Sequence, residues 1–445
     1  MGNNSDDELS AFFENISNVM RNAGSHSGYV DWQAVQTASS TVLKTQGDPK
    51  IEQDVASKIQ QAVEVAEVWL SEVTAFPSKG EPASITSRAG WITATFENWQ
   101  SIVEPVARGL STAMTSLMPE DMDQGQLSIP EELLSQLPAE LAKQMQDMLE
   151  NQNVADILKP MMDMARSMSA TMFGSQFGEH LGIMSTEVLS ATDIGLPLSK
   201  EAKPEFIGEN VKTFCEGLGS AHDDAYIYIA LRELAHQRLF HHAPWLLTQI
   251  QTALGTYASE VRIDTSQIEQ AIMEMGSESL EDLSNGISVE LSLEEPTAEQ
   301  KAAIERIEQL LAFIEGWVTT VVLQSAGSRL PHAHALEETF RRRRAAGGPA
   351  ERFFKGLVGL QLHPRRIREA TAMWKTITDT IGIEKRDNLW SHPDLLPTAE
   401  DIDNVSEFLN RTSHDLMAEL HRAMESDIPA PSEGEGNLDE DSSQP

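Results

Sequence analysis

The sequence predicts a mostly α-helical body with at most a small β element and a disordered acidic C-terminal tail. Three observations carry this expectation. Apolar residues recur at threes and fours through long segments, alternating strand patterns are sparse, and the stretch from Ser426 holds acids, Pro and Gly without Lys or Arg.

From Ile51 to Phe76, the residues Val55, Ile59, Val63, Ala66, Trp69 and Leu70 share one helical face, with Pro77 as the stop. Trp91 to Val103 repeats the pattern, and Pro105 is expected to end it. Ala170 to Leu189 reads as a further helix on which Gly174, Gly178 and Gly182 stand four apart. Each glycine costs a helix about 1 kcal/mol, so three in register predict the close approach of another helix backbone. The apolar run Tyr226 to Leu231 continues without a breaker to Phe240, with His222-Asp223-Asp224 as its acidic first turn and Pro244 closing it. His241 and His242 fall at its end, and Trp245 beyond it reads as a packing anchor. Ile304 to Val322 forms another apolar helix. Ile287 to Leu293 alternates cleanly enough for one edge strand, and Ile194 to Leu198 is a weaker strand candidate.

These elements divide the chain into an N-terminal helical and flexible segment over 1–48, a helical body over 49–424 and a disordered acidic tail over 425–445. An acid-rich insertion interrupts the body at about 260–300, where Arg262 is the sole cation.

Charge narrows the function. The 445 residues carry 33 Lys and Arg against 69 Asp and Glu, a formal net charge of -36, which repels phosphate backbones and anionic lipid headgroups. Neither a nucleic-acid partner nor a membrane is expected, and no apolar run approaches the length of a membrane span. Cys215 is the only cysteine, so no intrachain disulfide and no Cys-rich zinc site can form. The acidic start Asp6-Asp7-Glu8 is the reverse of a secretion signal, and a cytoplasmic protein is expected. Positive charge concentrates in Arg341-Arg342-Arg343-Arg344, Arg352, Lys355, Arg365, Arg366 and Arg368. Internal neutralisation of acidic segments is the expected role, with an anionic partner as the alternative.

The chemistry-bearing segment is Leu231-Arg232-Glu233-Leu234-Ala235-His236. On a helix, positions 232 and 236 share a face with 233 beside them. In a His-Glu-x-x-His helix, that face presents two imidazoles to zinc, and the glutamate takes a proton from metal-bound water. Arg232 stands where the first imidazole would be. A guanidinium has no lone pair to donate and repels a divalent cation. Two outcomes are open: the metal is gone and Arg232 supplies fixed positive charge, or a ligand from elsewhere completes the site and Arg232 points away. Glu315 poses a related problem, because burial among Leu311, Phe313, Ile314 and Trp317 is costly for an unpaired carboxylate. Arg232 is a candidate partner; a solvent-facing Glu315 is the alternative.

Several blocks carry a family resemblance: Trp69-Leu70 with Phe76-Pro77, Ser87-Arg88-Ala89 with Trp91, Val103 to Ala107, Leu231 to Phe240 with Pro244-Trp245-Leu246, Leu311 to Val318, Arg341 to Gly348, and Trp390 to Leu396. Together they resemble the zincin-like metallopeptidases of type 2, actinobacterial proteins described as candidate hydrolases or zinc-dependent metalloproteases. The resemblance implies a zincin-like helical body with the metallopeptidase helix at its centre and zinc as cofactor. It places Glu233 on the catalytic base, His236 on the second histidine ligand and Glu315 on the downstream metal-ligating glutamate. Arg232 departs from the zinc-binding pattern and matches a branch reading Arg-Glu-x-x-His. Two protein ligands are fewer than the three a catalytic zinc takes. The expectation is therefore a pseudoenzyme that binds protein or peptide without efficient hydrolysis and without zinc. Two alternatives stand beside it: an active metal-dependent peptidase using His236, Glu315 and a further ligand with Glu233 as base, and a helical scaffold recruiting partners through its tail and arginine cluster.

Overall fold

The computed structural model describes residues 28–115, 154–199, 203–261, 296–360 and 366–412. Its helices in chain order are α1 (Trp32–Gln46), α2 (Gln53–Leu70), α3 (Arg88–Thr115), α4 (Val154–Ser185), α5 (Gly208–Glu216), α6 (His222–His242), α7 (Trp245–Ser259), α8 (Ala298–Ala326), α9 (Ala333–Ala345), α10 (Pro349–Val358) and α11 (Ile367–Asn388). Among the described residues the one sheet pairs β1 (Ser84–Thr86) in parallel with β2 (Glu205–Ile207), Ile85 opposite Phe206. The body is mostly α, as its periodicity predicts.

α6 sits at the centre. Every residue from Tyr228 to Phe240 is buried, because α2, α5, α8 and α9 enclose the helix. A helix covered all round has no solvent face on which to place its polar residues. Arg232, Glu233, His236, Gln237 and Arg238 are therefore all inside and must find partners there.

The glycine row on α4 meets α1, as its spacing predicts. A Cβ added at Gly174 would lie 2.5 Å from Asp31 O, at Gly178 2.4 Å from Val35 O, and at Gly182 2.8 Å from Val42 Cβ. Asp31 fixes the start of α1 by accepting from Gln33 N and Ala34 N at 3.0 and 3.1 Å, and its other oxygen accepts from Thr171 Oγ1 on α4 at 3.0 Å. Val35 and Leu43 of α1 are part of the same hydrophobic core as the other described helices.

α4 begins at Val154, before the expected Ala170, and neither the stop at Pro105 nor the weaker strand candidate is borne out. α3 runs through Pro105 to Thr115 instead of stopping before it. Apolar burial on both sides of the proline, by Trp99, Ile102, Val106 and Ala107, holds the helix together despite the lost backbone bond. Beyond the proline α3 lies close against α7, where a Cβ at Gly109 would be 2.3 Å from Ala258 O. Ile194 to Leu198 is a turn, not a strand. Gly195 takes φ +77 there, and Pro197 has no N–H for a ladder. The strand candidate Ile287 to Leu293, the insertion beyond Val261 and the acidic tail lie outside the described residues.

The small sheet matters for what it delivers to α6. The segment after α4 runs antiparallel to β2, with Ile207 N donating to Leu189 O at 3.0 Å and Ala191 N to Glu205 O at 2.9 Å. This places the backbone at Thr192 and Glu205 over the middle of α6. On the opposite side, α8 starts from a Thr297/Gln300 capping box. It crosses α11 tightly at Gly316, where a Cβ would lie 2.8 Å from that of Ala370. Farther along, buried Asp387 accepts from Trp317 Nε1 at 2.9 Å, Thr74 Oγ1 at 2.7 Å and Ala75 N at 2.7 Å, and pairs with Arg386. That node ties the ends of α2 and α11 to α8 and holds the register of the helix carrying Glu315.

Candidate functional site

Arg232 and His236 project from α6 toward Glu315 on α8. Arg232 Nη2 donates to Glu315 Oε2 at 2.7 Å, and the guanidinium lies 5.0 Å from the centroid of the Phe340 ring. His236 Nε2 is 3.2 Å from Glu315 Oε1, and its Nδ1 is 2.9 Å from the Arg232 carbonyl one turn back. A carbonyl only accepts, so Nδ1 carries a proton, and Nε2 is the nitrogen turned to the carboxylate. Arg344 from α9 reaches the same carboxylate, with Nη2 2.6 Å from Oε2. One carboxylate thus holds two guanidinium groups and an imidazole in a site almost closed to water.

Burial alone would raise the Glu315 carboxyl, but the charges of Arg344, Arg232 and His236 outweigh it and hold the group well below the usual carboxylate range. Burial likewise opposes the charge on Arg232, and Glu315 more than reverses that. For Arg344 burial dominates, and its guanidinium lies below its ordinary value.

Glu233 faces a different set of groups. Its Oε2 accepts from Thr192 N at 3.1 Å and from Thr192 Oγ1, while Oε1 accepts from Gln237 Nε2 at 2.7 Å and Glu205 N at 3.3 Å. Four donors of the chain itself fill the carboxylate's lone-pair positions. The neighbouring Glu205 carboxyl is pushed up to about 7 by burial and then by the Glu233 charge.

The donor set tests poorly against a zinc ion. His236 Nε2 and Glu315 Oε1 converge, but the third corner is taken by a guanidinium hydrogen-bonded to the carboxylate that would have to bind the metal. Asp193 nearby is engaged by Arg343 Nη1 at 2.8 Å and Leu189 N at 3.0 Å. Among the described residues, no group of three or more His, Cys, Asp and Glu side chains gathers as a metal site. The residues present do not fit a catalytic zinc.

Beside the cluster opens a small cavity with apolar walls from Ile194, Leu311, Phe340 and Ile367, and with the carboxylates of Asp193, Glu315 and Glu351 as well as Arg343 and Arg344 on its lining.

Arg232, His236 and Glu315 meet at one point, while Glu233 turns to the β2 side. Sequence reasoning missed Arg344, Asp193, Thr192, Gln237 and Glu205. Gln237 had a local signal, since it stands at i+4 from Glu233. Arg344 was visible only as part of a basic run. That run is neutralised within the protein: Arg341 and Arg342 pair with Glu338, Arg343 with Asp193, Arg344 with Glu315, and Arg352 with Glu187. Three histidines flanking the motif have local positions. His242 stacks on Phe76 at 4.7 Å, and His222 and His241 occupy the two ends of α6. Trp245 packs on Trp390 and donates to its carbonyl at 2.9 Å.

Residues 30–409 match the zincin-like metallopeptidase family. The chain is also similar in structure to a protein from Chloroflexus aurantiacus, described from its crystal structure as a candidate hydrolase with a novel fold. The TM-score is 0.54 at 18% identity, covering 86% of this chain and 99% of that one. At this identity the likeness concerns the fold. Among curated proteins none matches the sequence.

Proposed function

Because the chain belongs to the zincin-like metallopeptidase family, we propose that it keeps the family's central helix as a binding cleft in which a guanidinium-carboxylate-imidazole cluster stands where a metal centre would be. In this reading it holds a protein or peptide segment without efficient hydrolysis. The observation that carries it is the 2.7 Å contact between Arg232 Nη2 and Glu315 Oε2. Arginine keeps its proton at any accessible pH, so this contact cannot exchange for a metal bond through deprotonation.

Glu233 supports the same reading. A general base needs a lone pair directed at the proton it takes. The four donors on Glu233 come from Thr192, Glu205 and Gln237, and they make it a brace between α6 and β2. The proposal includes a cytoplasmic setting and excludes a nucleic-acid partner, in line with a net charge of -36. None of the described helices is long and apolar enough to cross a membrane.

A second reading, a metal-dependent peptidase using His236 and Glu315 with Glu233 as base, is favoured by one observation. His236 holds its Nδ1 on a backbone carbonyl and turns Nε2 toward Glu315, the orientation that a hydrogen-bonded carbonyl gives a metal-binding imidazole. It needs a third donor and a displaced guanidinium. Metal analysis of protein purified without chelator separates the two. The first reading expects zinc far below one per chain and unchanged by His236→Ala. Stoichiometric zinc that disappears in His236→Ala establishes the second and overturns the first.

A further inference from the structure

We propose that residues 341–352 form a strap over the Glu315 site, latched to the body by arginine pairs, which arches away to open the cleft. The inference deepens the binding reading above by giving the cleft an entrance, and it rests on that reading for what the entrance serves.

The first argument is how the strap is held. Phe340 anchors one end against the rings of Tyr228 and Phe214, with centroids 5.5 and 5.2 Å away. Phe353 anchors the other end against Trp99 and Phe177, at 4.8 and 5.7 Å. Between these anchors Gly348 and Pro349 are buried, and the other residues are half-buried or exposed. Three arginines tie the stretch to the body. Arg343 donates to Asp193 Oδ2 at 2.8 Å and to the Glu187 carbonyl at 2.6 Å, and its guanidinium lies 6.0 Å from the centroid of the Phe214 ring. Arg344 pairs with Glu315, and Arg352 pairs with Glu187. Arg341 and Arg342 pair with Glu338 inside α9 and add nothing to the latch. A segment held by polar ties, with little apolar burial of its own, belongs to the part of a fold that opens at less cost than global unfolding.

The second argument is what the strap covers. Arg343, Arg344, Gly348, Pro349, Ala350 and Glu351 line the small cavity beside Glu315, together with Leu311 of α8 and Ile194 from the turn after α4. Lifting the strap removes its share of that lining and uncovers the Glu315 carboxylate, which the closed fold buries. Gly347 supplies the point of bending. It takes φ +82, and a Cβ there would meet nothing within 4 Å, so its backbone can turn without striking the body.

Thiol labelling of the full chain tests the proposal. Cys215 is the only cysteine, and burial pushes its thiol up to about 12, so it reacts when the body unfolds and reports that event. Leu311→Cys places a second thiol under the strap, and reaction with iodoacetamide is read at each position by peptide mass. Arg343→Gln is expected to speed labelling at position 311 at least about tenfold, the loss of one charge-assisted hydrogen bond, and to leave Cys215 unchanged. Arg352→Gln, which breaks a more exposed pair, is expected to give a smaller increase in the same direction. Ile194→Cys, on a half-buried position of the same cavity, reads the opening should the Leu311 variant fail to fold. Labelling under the strap that is unchanged by Arg343→Gln overturns the proposal. Equal acceleration at position 311 and at Cys215 also overturns it, because the pair then holds the whole fold and not a strap. Zinc content, measured on the same samples, is independent: stoichiometric zinc together with Arg343-dependent labelling would remove the metal-free reading and leave the strap standing.

Discussion

Arg232 and Glu315, 83 positions apart, meet through Nη2 and Oε2 at 2.7 Å in the buried centre of the fold. A contact of such sequence separation is set by packing, here of α6 against α8, with the Asp387 node fixing the far side of α8. Removing one partner of a buried pair costs more than the pair contributes, because the other charge is left without compensation.

Glu315→Gln should therefore destabilise the protein by about 3–5 kcal/mol in urea unfolding at neutral pH. The pH dependence has a definite sign. The folded carboxyl lies well below its ordinary 4.5, so its contribution is fully present above that value and is lost as pH falls below it. The acid limb of the wild-type stability profile should be steeper than that of Glu315→Gln; parallel limbs would contradict the ion-pair assignment.

Glu205 acts in the opposite direction. Its folded carboxyl is raised to about 7 by burial and by Glu233, so the folded state binds more protons than the unfolded one between about 4.5 and 7. Stability should fall as pH rises through that window and level off above it. Glu205→Gln should flatten the slope and stabilise the protein by about 1–3 kcal/mol at pH 8. Unfolding curves at pH 5 and pH 8 check this, and a variant less stable than wild type at pH 8 would show that the Glu205 charge is needed.

Gly178 tests the α1–α4 seam. Alanine favours a helix over glycine by about 1 kcal/mol, yet its Cβ would sit 2.4 Å from Val35 O. Gly178→Ala should be net destabilising by about 1–3 kcal/mol and lower the Tm. A raised Tm would mean that the seam relaxes freely.

Much of this was legible in local sequence. A carboxylate among Leu311, Phe313, Ile314 and Trp317 had to be exposed or paired, and a cation on the facing helix was the available partner. Glycines four apart specified a close crossing because only backbone contact makes their cost worthwhile. Pro105 misled, since its local preference to end a helix lost to burial of the residues flanking it. Thr192, Asp193 and Glu205 gave no signal at all: they lie in a turn and a three-residue strand, and their roles come from where the segment after α4 is laid over α6. The environment of Glu233 was likewise invisible, because three of its four donors come from those distant backbone segments.

The central claim is that one guanidinium occupies the place of a metal ligand. Zinc titration of the wild type beside Arg232→His tests it most directly. The account predicts no stoichiometric zinc in the wild type and about one site per chain in Arg232→His, where two imidazoles and Glu315 supply the three protein ligands of a tetrahedral centre. Stoichiometric zinc bound equally by both proteins would contradict it.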